Sequence, residues 1–464
     1  MISVDTLPDD VLLTIFHRYL NDDAQHPIEM GKAWQSLVHV CRRWRRIIFA
    51  SPRHLNLQLV CQERTPTRDT LDVWPALPLV IWCHGIGSVD NIIAVLEHRD
   101  RVCQINLWNV KSSDLEILLA AIQQPFPELR HLSLHSLGET VPVVPDSFLG
   151  GSAPRLEFLQ LNRIPIPGLL KLLLSATHLV DLYLTNIPHS AYISPEAMVT
   201  TLSMLNYLEE LSLQFQSPLS CPDQASRWLP PSSCSALSVL RTFIFKGVSE
   251  YLEDLVARID APRLNTLEIA FFNDIAFDTP QFTQFVGRTP MSRGPIRARI
   301  VLRNVAASIN LFQASALGEL KVKTLCRGLD WQLSSLEQLC TSCLPSLSML
   351  EDLYIYEDPD FQPDWKDDIE NGLWLQLLHP FTAVKNLFLS EQFALRVEPA
   401  LQVLTEGRTM EVLPALQNVF LDKLESPGPV QEGIGKFVAA RRVASHPITV
   451  SSWANSDTDK VYYY

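Results

Sequence analysis

One phrase constrains this 464-residue chain more than any other feature: apolar residues at i, i+3, i+5 and i+8, returning along most of its length. It reads Val102-Ile105-Leu107-Val110, Leu129-Leu132-Leu134-Leu137, Leu156-Leu159-Leu161-Ile164 and Leu179-Leu182-Leu184-Ile187. Further on come Leu240-Phe243-Phe245-Val248, Leu264-Leu267-Ile269-Phe272, Leu317-Leu320-Val322-Leu325 and Leu416-Val419-Leu421-Leu424. Phrases from Leu208, Leu350 and Val384 keep the first three positions, and Arg297-Ile300-Leu302-Val305 keeps the last three. Counted from Trp74-Leu77-Leu79-Trp82, the starts recur on average every 28.5 residues. With 47% hydrophobic residues a single match arises by chance, so the regular spacing carries the inference. A proline stands two residues ahead of the phrase at Pro127, Pro154, Pro262 and Pro414, where it ends a helix before a short strand.

Helical stretches separate the phrases. Ser113-x-x-Glu116 and Ser334-x-x-Glu337 have the capping-box form, and Ser194-Pro195-Glu196 places a cap, a proline and an acid at a helix start. Strand, turn, helix and return at this period resemble leucine-rich repeats, whose L-x-x-L-x-L the phrase matches. Where that family usually has Asn or Cys this chain mostly has an aliphatic residue, so the repeats are degenerate. The resemblance implies an α/β solenoid, a horseshoe. If i+3 and i+5 enter the core of each strand, i+2, i+4 and i+6 line the inner face. The aromatic residues among these, Trp108, Phe158, Tyr183, Tyr354, Tyr356 and Phe388, are the candidate cargo-binding positions, because aromatics dominate protein interfaces. Phe158, Phe388 and Phe420 suit packing against a neighbouring repeat equally well. Phe437 to Arg442, with Ile448 and Val450, suit a C-terminal cap.

Ahead of the repeats, Val11, Leu12, Ile15, Phe16, Tyr19 and Leu20 paint one stripe along a helix, with Pro8 in its first turn and Asp9 and Asp10 at its positive end. Trp34, Leu37, Val38, Cys41, Trp44, Ile47 and Ile48 resume a helical period as two short helices meeting near Cys41. Three short helices bury only a small core, which leaves apolar surface for a partner. Periodicity alone fits an N-terminal cap of the following domain as well. The order Leu7-Pro8-x-x-Val11-Leu12-x-x-Ile15-Phe16, then Leu37-x-x-Val40-Cys41-x-x-Trp44, resembles the F-box, with an insertion around residues 21 to 32. That resemblance implies docking to a Skp-family adaptor and through it to a cullin, with Leu7, Pro8, Val11, Leu12, Ile15, Phe16, Val40, Cys41 and Trp44 making or supporting the adaptor surface. It divides the chain into an F-box domain over 1–57 and a repeat domain over 58–464 that captures a protein for ubiquitylation. The segment order and the tail, Leu413-Pro414-Ala415-Leu416-Gln417 and Phe437-Val438-Ala439-Ala440-Arg441, are similar to a group of fungal F-box-like proteins. A repeat scaffold that binds proteins without a ligase is the alternative.

Other chemistry finds little support. The net charge of −13 disfavours a nucleic-acid partner, and Arg42, Arg43, Arg45 and Arg46 are expected to form a solvated helix face. The nine scattered cysteines suit a reducing compartment, with Cys340 and Cys343 as buried core thiols, so the chain is expected in the cytoplasm or nucleus. No apolar run reaches membrane-span length. No phosphate loop, H-E-x-x-H or G-x-S-x-G is present, and His131 and His135 read as surface histidines. Neither an enzymatic activity, a metal nor a cofactor is therefore expected. Residues 351 to 370 hold nine acids and one lysine: a solvated loop, or, beside Trp365, a receptor for a basic segment.

Overall fold

The computed structural model describes residues 7–22, 27–63, 67–85, 89–138, 144–220, 234–272, 279–292, 294–313, 318–344, 347–357, 370–404, 410–422 and 429–453. It forms two compact units, Met1–Tyr192 with Met204–Leu208, and Ile193–Ser203 with Glu209–Tyr464. The acidic run beyond Glu357, with Asp364, Trp365, Asp367 and Asp368, and the phrase residues Leu317 and Leu424 lie outside the described residues.

The first unit opens with three helices, α1 (Asp9–Asp22), α2 (Pro27–Val38) and α3 (Arg42–Ala50). Six strands follow: β1 (Leu59–Gln62), β2 (Leu79–His84), β3 (Val102–Val110), β4 (His131–Ser136), β5 (Phe158–Asn162) and β6 (Asp181–Ile187). Each pairs in parallel with the next. Parallel neighbours require a crossover, and the phrases leave room for it in helices such as Val89–Leu96, Ser112–Ala121 and Leu169–Ser175, which bury Ile92, Val95, Leu115, Leu118, Leu169 and Leu172. Ile105, Leu107, Leu132, Leu134, Leu159, Leu161, Leu182 and Leu184 are all buried, so i+3 and i+5 do form the core. The stack starts one strand earlier than the phrases counted from Trp74. Leu59 and Cys61 face Leu79 and Ile81, and Ile81 and Cys83 in turn face Ile105 and Leu107. Trp74-Leu77-Leu79-Trp82 is thus out of register, and Trp82 pairs with Asn106 on the open face. Three strands end on a left-handed residue at the seventh position after the phrase start: Asn109 (φ 55°), Arg163 (φ 59°) and Asn186 (φ 50°). Asparagine tolerates that conformation, and Asn186 Nδ2 donates to Asn162 Oδ1 at 3.1 Å, tying consecutive turns together.

The second unit holds β7 (Glu210–Phe215), β8 (Ser235–Ala236), β9 (Thr242–Gly247), β10 (Ile259–Asp260), β11 (Thr266–Phe272), β12 (Pro295–Arg303), β13 (Ala306–Gln313), β14 (Glu319–Leu325), β15 (Asp352–Glu357), β16 (Asn386–Leu389), β17 (Asn418–Asp422) and β18 (Thr449–Trp453). β8 and β10 pair only with each other, and the rest run in the order β7-β9-β11-β14-β13-β12-β15-β16-β17-β18. The phrases imply strands laid down in sequence with a helix between each pair. Instead β12 and β13 form an antiparallel hairpin, Arg303 facing Ala306 across the two-residue turn Asn304-Val305, and β13 runs antiparallel to β14. Two residues are too few for a parallel crossover, so the strands on either side pair antiparallel, which the repeat period concealed.

Of the helix starts, only Ser194 acts as a cap, its Oγ accepting from Ala197 N at 3.3 Å ahead of Pro195. Ser113 lies inside helix Ser112–Ala121, whose cap is Lys111, and Ser334 lies mid-helix in Leu329–Gln338. Cys340 and Cys343 are buried in the π turn Leu339–Cys343, where burial pushes the Cys343 thiol up to about 11. At the C-terminal end, helix Pro429–Val443 buries Phe437, while Val450 stands exposed on the last strand, β18.

Candidate protein-interaction surfaces

The apolar stripe of α1 divides in two. Leu12 and Phe16 are 1% exposed and pack inside the three-helix module, the Phe16 ring 4.7 Å from that of Trp44. The adjacent face carries Pro8, Val11 (39% exposed), Ile15 (47%) and Tyr19 (44%), and Val40 (59%) stands on the turn between α2 and α3. Leu12 and Phe16 therefore support the surface from below, and Val11, Ile15 and Val40 make it. Tyr19, absent from the sequence-derived set, continues the i, i+4 row from Val11 and Ile15. Leu7, Cys41 and Trp44 are half-buried. Cys41 caps α3, its Sγ accepting from Trp44 N at 3.5 Å.

The arginines of α3 form more than a solvated face. Arg43 donates to Asp9 Oδ1 at 2.6 Å and to the Leu7 carbonyl at 2.5 Å, and Arg45 Nε donates to the Val38 carbonyl at 3.1 Å. The first and third helices are thereby fixed at the end where Leu7 and Pro8 enter. Trp34 closes the base of the module: its Nε1 donates to the Gln58 carbonyl at 2.8 Å, and its ring meets Trp74 edge-on at 5.0 Å.

On the open strand face of the first unit, Trp108 stacks on His135 (3.9 Å, 17°) and Phe158 on His131 (4.0 Å, 3°), with Tyr183 5.5 Å from Phe158. Side chains in register on adjacent parallel strands sit one strand spacing apart, which suits flat rings. The histidines are half-buried members of these stacks rather than free surface groups, and burial pushes the His131 imidazole down to about 4.

In the second unit Tyr354, Phe388 and Phe420 occupy one register row on β15, β16 and β17. Their rings stack at 4.1 Å and 4.5 Å, and Trp453 meets Phe388 and Tyr354 edge-on at 5.3 Å and 5.7 Å. Arg297 and Arg299 lie over the Tyr354 ring at 5.4 Å and 5.9 Å. A polar row runs beside it: Asn418 Nδ2 donates to Asn386 Oδ1, and Asn386 Nδ2 to Asp352 Oδ1, each at 2.7 Å. Tyr356 is half-buried at the end of β15. Thus Phe388 and Phe420 do pack against neighbouring repeats, yet they do so on the open face. Trp453 and the two arginines complete a surface that the strand phrases alone did not reveal.

Among the described residues no helix is long and apolar enough to cross a membrane, no metal-holding cluster of His, Cys, Asp or Glu occurs, and the cysteines are free.

A three-helix module followed by strand–helix repeats with aromatic open faces defines an α/β repeat protein of the protein-interaction class. Residues 4–58 match the F-box-like family model. The crystal structure of the leucine-rich repeat-containing protein LegL7 from Legionella pneumophila is similar at 13% identity and a TM-score of 0.28, over 82% of this chain and 97% of that one. No curated protein matches the chain.

Proposed function

We propose that this chain is the substrate-receptor subunit of a Skp–cullin–F-box ubiquitin ligase, non-catalytic itself, working in the cytoplasm or nucleus. The observation that carries the reading is the row Pro8, Val11, Ile15 and Tyr19, exposed on a module that buries Leu12, Phe16, Leu20, Trp34, Val38, Ile47 and Ile48, within the segment that matches the F-box-like model. An apolar row left in water beside a closed core suits a partner helix or groove. The aromatic open faces of the repeats suit capture of a protein cargo.

Binding of the purified full chain to a Skp adaptor tests it. Val11→Asp/Ile15→Asp is expected to weaken binding by about 30-fold or more, because charges replace apolar contacts at the centre of the interface. These side chains are outside the module core, so the melting curve stays near that of the wild type. A folded wild-type chain that fails to bind the adaptor overturns the ligase reading and leaves a repeat scaffold that acts without one.

A further inference from the structure

The open face of the second unit carries a feature that the aromatic row does not use. Lys246, Ala270 and Lys323 occupy one register row on β9, β11 and β14. The two lysines flank the central strand, and successive strands lie about 4.8 Å apart, so their positions stand roughly 10 Å apart with only a methyl group between. Phe272 and Glu268 border the same gap two residues along β11 in either direction. Lys246 Nζ lies 5.5 Å from the Phe272 ring centroid. Glu268 pairs with Lys321, its Oε1 2.8 Å from Lys321 Nζ, though its charge still reaches Lys323, and Glu319 accepts from Asn310 Nδ2 at 3.2 Å. Among the described residues neither Lys246 nor Lys323 makes a side-chain hydrogen bond or an ion pair.

Both lysines are half-buried. Burial lowers the pKa of each, and for Lys323 the charges of Arg303 and Lys321 lower it further, while Glu268 draws it back up by more than Lys246 lowers it. Like charges gathered on a half-dry surface repel one another, and an anion placed between them relieves that repulsion. The whole chain carries a formal charge of −13, which makes a local cluster of cations the more distinct.

We propose that the gap over Ala270, between Lys246 and Lys323, is an oxyanion site that receives a side-chain carboxylate of an acidic segment in a partner protein. An extended segment lying across the strands places one carboxylate between the two ammonium groups, with Arg303 near the next. The site belongs to the repeats alone, so it stands whether or not the N-terminal module docks an adaptor.

The test is fluorescence anisotropy of labelled hexa-aspartate with the full chain, with hexa-asparagine and inorganic phosphate as further probes. Hexa-aspartate is expected to bind in a salt-sensitive manner, hexa-asparagine not at all. Lys246→Gln/Lys323→Gln is expected to weaken hexa-aspartate at least tenfold while raising Tm, since the substitution removes two charges that burial penalises; a raised Tm separates lost binding from lost folding. No binding of hexa-aspartate by the folded wild type, equal binding by the double variant, or saturable binding of inorganic phosphate without the peptide each overturns the proposal.

Discussion

Tyr354 and Phe388 face each other across β15 and β16 with ring centroids 4.1 Å apart and planes 4° from parallel. Phe388 also meets Phe420 and Trp453, so it is the joint of the aromatic row. Phe388→Ala removes contacts on three sides and is expected to destabilise the second unit by about 2 kcal/mol, with the side chain half-buried. Urea unfolding checks this, and a midpoint unchanged from the wild type refutes the row as a structural element.

Helix Pro280–Arg288 begins without a side-chain cap of its own. Glu253, buried on helix Ser249–Ala257, supplies one from outside, accepting from Gln281 N at 2.9 Å and Phe282 N at 2.7 Å. A carboxylate on two helix N–H groups is a charge-assisted contact at the positive end of the dipole. Glu253→Ala is expected to cost about 2–3 kcal/mol. Denaturant unfolding reads the loss, and an unchanged midpoint refutes the cap.

Arg441 is fully buried and donates to the carbonyls of Val412 and Leu413 at 2.9 Å and 2.8 Å, around a turn where Leu413 takes a φ of 49°. Burial lowers its pKa. Lysine cannot reproduce the fork, so Arg441→Lys is expected to destabilise by about 2 kcal/mol and Arg441→Met by more, since the carbonyls then lose their donors. Thermal melts of both variants check the order.

His131 holds a folded-state pKa of about 4 against an ordinary 6.5, because burial disfavours the charged ring. Between those values the unfolded chain binds a proton that the folded chain refuses. Stability is therefore full above about pH 6.5 and falls as pH drops toward 4, by ~2–3 kcal/mol after allowing for the solvent that reaches the open face. His135, lowered for the same reason, adds a slope of the same sign. Unfolding free energy measured across this range is expected to decline less steeply in His131→Gln; an unchanged slope refutes the assignment.

The core of the repeats was legible because alternation within a strand is strict: Ile105 and Leu107, or Leu353 and Ile355, enter the same interior wherever the phrase recurs. The strand order was not, because antiparallel strands show the same alternation, and Ile300 and Leu302 read like any other repeat. The two misread caps have a simpler cause. Ser-x-x-Glu is also an ordinary sequence inside a helix, and only the preceding backbone distinguishes the two. In α1 the apolar stripe was clear, but which part of it neighbouring helices would cover depended on α3, whose placement rests on Arg43 reaching Asp9 and Leu7. Trp453 reached the aromatic row only through the pairing of β18 with β17.

The hairpin β12–β13 bears on how this array can be edited. β14 keeps β11 as its neighbour on one side, and on the other the hairpin separates it from β15, with both β14 and β12 running parallel to the strands beyond. Excising the hairpin would leave β11, β14 and β15 as three ordinary successive repeats, so those two strands are a graft on an array whose order is complete without them. What the graft brings is charge: Arg297 and Arg299 arrive on β12 beside Tyr354, and a shortened chain would keep the rings while losing the cations that lie over them.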